Sequence, residues 1–309
     1  MLGAEAHATV YASLQMVGLG SRRVLKVEAD DQGRMRPDRL RDVLAGVAER
    51  PVIVAAQSGN VNTGAFDPLQ EIVAAVRELP NAWLHVDGAF GLWAAASPSQ
   101  RHLIAGLDGA DSWTTDAHKW LNVPYDCGIV AVADPEAHLA AMSFGAAYYV
   151  TSGAAVREPG NWVAESSRRS RAFTVYAALR ELGRDGLADL VDRCCALARR
   201  MADGLRDAPG VTILNDVVLN QVLVRFAPPS GAAPEVEADD FTRRVIAAVQ
   251  ADGTCWLGGT TWHGKAAMRI SVSNWSTTEQ DADVSVAAIR RCAAAVAADW
   301  APAASPAAV

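Results

Sequence analysis

Lysine is scarce in this sequence. Lys26, Lys119 and Lys265 are the only three in 309 residues, although lysine and arginine together number 28. Arginine already supplies the surface positive charge, and unlike lysine it does not give up its proton to become a nucleophile. Basic runs are missing as well. A formal charge of −7 without any Lys/Arg cluster excludes the electrostatic footprint of a nucleic-acid-binding protein. The five cysteines form no CxxC pair, and two of them, Cys194 and Cys195, are adjacent. Neither a disulfide framework nor a cysteine metal site is therefore expected, and a reducing cytoplasm is the expected compartment. No apolar run reaches the roughly 18 residues of a membrane-spanning helix, and the first residues carry no signal-peptide pattern. Residues 301–309 are low-complexity Ala/Pro and are expected to form a disordered tail.

What is present is an ordinary globular composition with enough apolar residues for a large core. A helix is expected from about Ala4 to Val17, cut into at its start and stopped by Gly18 and Gly20. A short strand Val24–Val27 and a helix Pro37–Leu44 follow. The run Pro51–Ala56 reads as a strand buried on both faces. After a polar turn, Gln57–Gly64, a helix runs from Asp67-Pro68 to about Leu79, and Ala82–Asp87 is a second buried strand. Ala110–Thr114 and Gly128–Ala133 are further strands, and Pro135 opens a helix. This alternation predicts an α/β domain with a mainly parallel sheet, whose ligands bind beyond the carboxyl ends of the strands. The pattern breaks from Met142 to Arg171, where glycines and the aromatics Tyr148, Tyr149 and Trp162 suit a lid over a site. Helices Phe173–Leu182 and Leu187–Leu205 come next. Strands Val211–Leu214 and Gln221–Phe226, an acidic linker, helix Phe241–Ala251, strands near Cys255–Leu257 and Met268–Val272, and helix Glu279–Ala298 then read as a smaller α+β domain. The expected division is 1–205, 206–300 and the tail.

One stretch, Ser112–Gly128, holds Lys119 between His118 and Trp120. The segment His85-Val-Asp87-Gly-Ala89 places a carboxylate at a strand end, 32 residues before that lysine. His7 stands near the start, and Gly59-Asn-Val-Asn62-Thr-Gly64 is a turn of small residues. A buried carboxylate beside a lysine amine is the pair that pyridoxal phosphate requires: one keeps the pyridine nitrogen protonated and the other binds the aldehyde.

These segments, with Ala6-His7, Gly59–Pro68, Asp116-Ala-His-Lys-Trp120 and Met268–Ser273, stand in the order and spacing of the group II pyridoxal-phosphate-dependent amino-acid decarboxylases, which the chain resembles over nearly its whole length. The aromatic-amino-acid and glutamate decarboxylases belong to that family. The resemblance implies the aspartate-aminotransferase-like architecture (fold type I) with pyridoxal 5'-phosphate as cofactor. It implies decarboxylation of an L-amino acid, with aromatic ones among the candidates, through a Lys119 aldimine and a quinonoid intermediate. It also implies a homodimer with sites at the subunit boundary. By the same resemblance Lys119 holds the cofactor, Asp87 pairs with the ring nitrogen, His7 stacks on the ring and Ala89 packs below it. Asp116, His118 and Asn62 lie near the phosphate or the substrate, and Arg269 is a candidate partner for a substrate carboxylate.

Three departures from the family stand out. Its members carry a further segment before the stacking histidine, including a Gly/Ser/Thr-rich turn for the cofactor phosphate, so the expectation is a chain lacking the N-terminal part. Val61 stands where the family often has threonine. The family's loop tyrosine has no counterpart before Trp162, which leaves Tyr148 and Tyr149 as the candidates for a substrate contact or proton donor. Rival readings are a carbon–carbon lyase resembling sphingosine-phosphate lyase, an aminotransferase, a catalytically silent dimerisation fragment, and a metal-dependent hydrolase using His85, Asp87, His102 and His118. The last fits no compact ligand spacing and leaves Lys119 unexplained.

Overall fold

In the computed structural model, which describes residues 2–3, 5–145, 157–165, 167–229 and 234–300, the β/α alternation builds two sheets. Tyr148, Tyr149 and residues 301–309 lie outside the described residues. The first sheet contains β1 (Leu2–Gly3), β2 (Lys26–Val27), β3 (Val52–Gln57), β4 (Ala82–Asp87), β5 (Ser112–Asp116) and β6 (Gly128–Val132), in the order β2-β1-β3-β4-β5-β6. Every neighbouring pair is parallel except β5 with β6, which is antiparallel.

The register of β3 on β4 sets Val54 opposite Leu84 and Ala56 opposite Val86. All four are buried, against Leu40 and Leu44 of α2 (Pro37–Ala45) and Leu69, Ile72 and Val76 of α3 (Leu69–Arg77). Burying one such aliphatic side chain is worth about 1.5–3 kcal/mol, so this face anchors the sheet. The opposite face differs from expectation. Ile53 of β3 is 47% exposed and Val130 of β6 is 50% exposed, so β3 is a strand with one covered face. The described helices account for the difference, since the apolar cluster that includes α2 and α3 gathers Val54 and Leu84 and leaves Ile53 outside it.

The second sheet is antiparallel, with β7 (Val211–Ile213), β8 (Gln221–Phe226), β9 (Gly258–Trp262) and β10 (Lys265–Ser271) in the order β7-β8-β10-β9. Its apolar residues Val222, Val224, Met268 and Ile270 share one core with three helices. These are the second half of α6 (Arg171–Arg206), α7 (Glu235–Asp252) and α8 (Glu279–Ala298). That core also takes in Phe66, Ala94 and Trp120 from the first sheet's connections, so apolar packing runs continuously from one sheet to the other. Cys194 and Cys195 sit inside it. Burial pushes their thiols up to about 11 and about 12, which leaves them inert as nucleophiles.

Several boundaries differ from the sequence expectation for local reasons. The first helix, α1, spans Ala8–Met16 rather than starting at Ala4, because Leu2–Gly3 pair as a strand and His7 takes the N-cap position. The expected acidic linker forms the first turns of α7: Glu235 and Glu237 suit a helix N-terminus, and Arg225 pairs with both Glu235 and Asp239. The strand expected near Cys255–Leu257 starts at Gly258 instead. The two helices expected after Phe173 run as one element, α6, interrupted at Gly183, whose φ of 62° is open to glycine at little cost. The last helix matches its expected span, with Thr278 and Asp281 closing a capping box.

Candidate active site

Because β3, β4 and β5 are parallel, their carboxyl ends lie along one edge, and the segments that follow them meet there. The turn after β4 is tied to both neighbours. Ser58 N donates to Asp87 O (2.8 Å), Gly91 N donates to Ser58 O (3.0 Å), Gly88 N to Thr114 O (2.9 Å) and Asp116 N to Ala89 O (3.0 Å). Two glycines make this possible. A Cβ on Gly59 would stand 2.7 Å from Gly91 N, and one on Gly91 would collide with the Ser58 carbonyl. Within this turn Ala89 N donates to Asp87 Oδ1 at 3.1 Å, which fixes the carboxylate at the end of β4.

Lys119 lies at the end of the adjacent strand, on the single turn α4 (Ala117–Trp120). Ala117 and Trp120 are fully buried, and Trp120 packs on Phe90 with centroids 5.4 Å apart, so the turn cannot rotate freely. This leaves His118 and Lys119 only partly buried. Lys119 Nζ is 3.2 Å from Asp116 Oδ2 and 5.7 Å from the centre of the Phe90 ring. Asp116 occupies the N-cap position of α4, yet its side chain makes no capping hydrogen bond. Its carboxylate is turned instead to Lys119 and to His118 Nε2, 3.5 Å away. Across the imidazole, Nδ1 lies 3.0 Å from Cys127 O and 3.1 Å from Cys127 N, so the Cys127 backbone meets it in either tautomer, and the ring centre lies 4.1 Å from that of Tyr125.

The other expected residues are spread more widely. Asn62 Oδ1 accepts from Thr260 Oγ1 of β9 at 2.9 Å, and Arg269 of β10 donates to Val61 O at 3.2 Å, so the 59–64 turn is held against the second sheet. Arg269 has no ion-pair partner among the described residues, and burial pushes its guanidinium below the ordinary arginine range. The hydrogen bonds of His7 are local: Nδ1 is 2.7 Å from Thr9 Oγ1 and accepts from Thr9 N at 3.3 Å.

The histidines of the hydrolase reading have separate partners. His85 Nδ1 is 2.8 Å from Ser112 Oγ, which also accepts from Trp83 Nε1, and burial lowers the His85 pKa against the opposing pull of Asp87. His102 lines a cavity of about 230 Å³ together with Arg34, Asp67 and Glu71. Among the described residues no group of three His, Cys, Asp or Glu side chains is arranged to hold a metal.

Sequence reasoning passed over Phe90 and Tyr125, each in a segment it had singled out. Phe90 follows Ala89 directly and Tyr125 lies six residues beyond Lys119. Nothing in their order in the chain says that their rings turn back onto Lys119 and His118. It also passed over Asp126, which binds Arg169 at 2.6 Å and Arg171 at 3.0 Å and so ties the start of α6 to the Lys119 stretch.

A family model described as the pyridoxal-dependent decarboxylase conserved domain matches residues 2–227. The L-2,4-diaminobutyrate decarboxylase of Rhizobium meliloti (strain 1021) is 30% identical over 284 residues, covering 90% of this chain and 56% of that protein. The mouse (Mus musculus) acidic amino acid decarboxylase GADL1 is 31% identical over 249 residues, 78% of this chain and 45% of that protein. The chain thus spans about half the length of the curated relatives it matches. Among solved structures, Oryza sativa TDC with PLP and tryptamine superposes with a TM-score of 0.89 at 21% identity, covering 95% of this chain and 62% of that one. Mouse CSAD in apo form gives 0.86 at 24%, covering 94% and 63%. These superpositions establish a shared fold, which is the one expected from the sequence.

Proposed function

Because this chain belongs to the pyridoxal-dependent decarboxylase family, we propose that it binds pyridoxal 5'-phosphate at the ends of β4 and β5 and decarboxylates an L-amino acid. The observation that carries the reading is that Asp87 ends β4 while Lys119 directly follows β5, its parallel neighbour in the sheet. The donor set fits the group. A primary amine follows one strand, and the neighbouring strand ends in a carboxylate that has one oxygen held by Ala89 N–H and no described partner for the other. Bound through its aldehyde, the cofactor supplies an electron-accepting ring.

The remaining roles fall to the chain's own groups. Lys119 Nζ would bond the aldehyde, and Asp87 would keep a proton on the ring nitrogen. Ala89 both orients Asp87 and floors the ring, while His7 covers its other face. His118 is held at Nδ1 by the Cys127 backbone, which turns Nε2 toward Asp116 and the phosphate or substrate. Asn62 lines the same side, and Arg269, without an acidic partner, receives a substrate carboxylate. We place the protein in the cytoplasm as a homodimer, with residues 1–205 as the cofactor-binding unit and 206–300 as the smaller unit. No helix among the described residues is long and apolar enough to cross a membrane.

The test is a panel of L-amino acids incubated with the chain and cofactor, with amine and carbon dioxide measured separately from keto acid. The reading expects equimolar amine and carbon dioxide from at least one substrate. It also expects Asp87→Asn to lower turnover by at least about a hundredfold, because a neutral ring nitrogen is a weaker electron sink. Keto acid as the main product, or wild-type turnover in Asp87→Asn, contradicts it.

A further inference from the structure

Asp116 stands where a helix begins, but it does not act as a cap. Aspartate at this position ordinarily accepts a backbone N–H from the first turn. Here the side chain makes no such bond, and both groups it faces are basic: Lys119 Nζ at 3.2 Å and His118 Nε2 at 3.5 Å. The ion pair is only partly open to water, with side-chain exposures of 29% for Lys119 and 24% for Asp116. His118 is in turn fixed from behind by Cys127 N and by the Tyr125 ring.

The geometry points to Asp116 as the positioning residue of Lys119. In the cofactor-free chain the ion pair holds Nζ at one place beside the strand ends, with the His118 ring on the other side of the carboxylate. This rests on the reading of Lys119 as the cofactor lysine and adds to it. While the pair is formed Nζ is turned to the carboxylate, and an electrophile reaches the amine only by displacing that contact. The same carboxylate offers the amine a return position whenever it leaves the cofactor. Phe90, 5.7 Å from Nζ, favours the cation at that position too.

The scarcity of lysine makes the test clean, because Lys119 is compared with only two others in the same digest. Lys26 lies over the Tyr11 ring at 5.9 Å, and Lys265 pairs with Glu235 at 3.2 Å; neither is described near Asp116. The cofactor-free chain is treated with a limiting amine acetylating reagent at pH 7.5, and the rate at each lysine is read by peptide mass spectrometry. For Asp116→Asn the expected result is Lys119 modification faster by about two- to fivefold, the size of effect a partly exposed ion pair exerts. Lys26 and Lys265 should react at wild-type rates, which also reports an intact fold. Asp116→Glu restores the charge and should return Lys119 toward the wild-type rate. An unchanged Lys119 rate in Asp116→Asn, with the two control lysines unchanged, overturns the inference. So does a Glu variant that reacts as fast as the Asn variant.

The underlying assignment fails separately. Borohydride reduction of the wild-type chain with pyridoxal phosphate that labels Lys26 or Lys265 would remove Lys119 from the cofactor while leaving the acetylation result standing.

Discussion

Asp67 accepts backbone N–H groups from two separate segments, Met35 and Gln57, each at 2.7 Å, and its carboxylate is buried. Burial pushes it up to about 7 from an ordinary 3.8, against the two donors, which pull it down. A carboxyl raised on folding binds a proton in the native state that the unfolded chain has already lost. Stability from this group is therefore greatest below about pH 4, falls as pH rises toward 7, and is constant above that. Urea melts at pH 5 and pH 7.5 should show the wild type less stable at the higher pH. Asp67→Asn should flatten that dependence, and at pH 5 it should lose about 1–3 kcal/mol because the amide has one oxygen for two donors. An equal slope in wild type and variant contradicts the assignment. Residues differ in how much of this is written in sequence. Lys119 could be picked out because lysine is rare and because it stands between an imidazole and an indole. The turning of Asp116 away from its cap could not, since it depends on a side-chain torsion and on Cys127 fixing His118 from nine residues away.

The elements at the site depend on two backbones approaching more closely than side chains allow. Gly59 and Gly91 face each other where the ends of β3 and β4 leave the sheet, and Ser58 O accepts Gly91 N–H in the same place. Gly91→Ala should therefore push the two turns apart. We expect a cost of about 1–3 kcal/mol in urea melts, together with weaker cofactor binding as the Asp87 turn shifts. A variant of wild-type stability would show that the turns can relax without loss. Strands β3 and β4 and helix α8 were legible because their apolar period and caps agree with their surroundings. Where local signals were weaker, packing decided. The acidic stretch before Phe241 reads as a linker on composition, and it is helical because Arg225 reaches back from β8 to pair with it. The exposed side of β3 was not legible at all, because an apolar run does not say how many of its faces other elements cover.

For the molecule as a whole, the apolar core that runs from the connections of the first sheet into the second fixes how the 59–64 turn meets Thr260 and Arg269. The proposed site would thus draw on both sheets although Lys119 and Asp87 come from one. The central claim is that this arrangement presents Lys119, alone among three lysines, to pyridoxal phosphate. It is tested most directly by incubating the chain with the cofactor, reducing with borohydride, and locating the label by peptide mass spectrometry. The account predicts a single label on the peptide carrying Lys119 and none after Lys119→Ala. A label on Lys26 or Lys265, or labelling that survives Lys119→Ala, would contradict it.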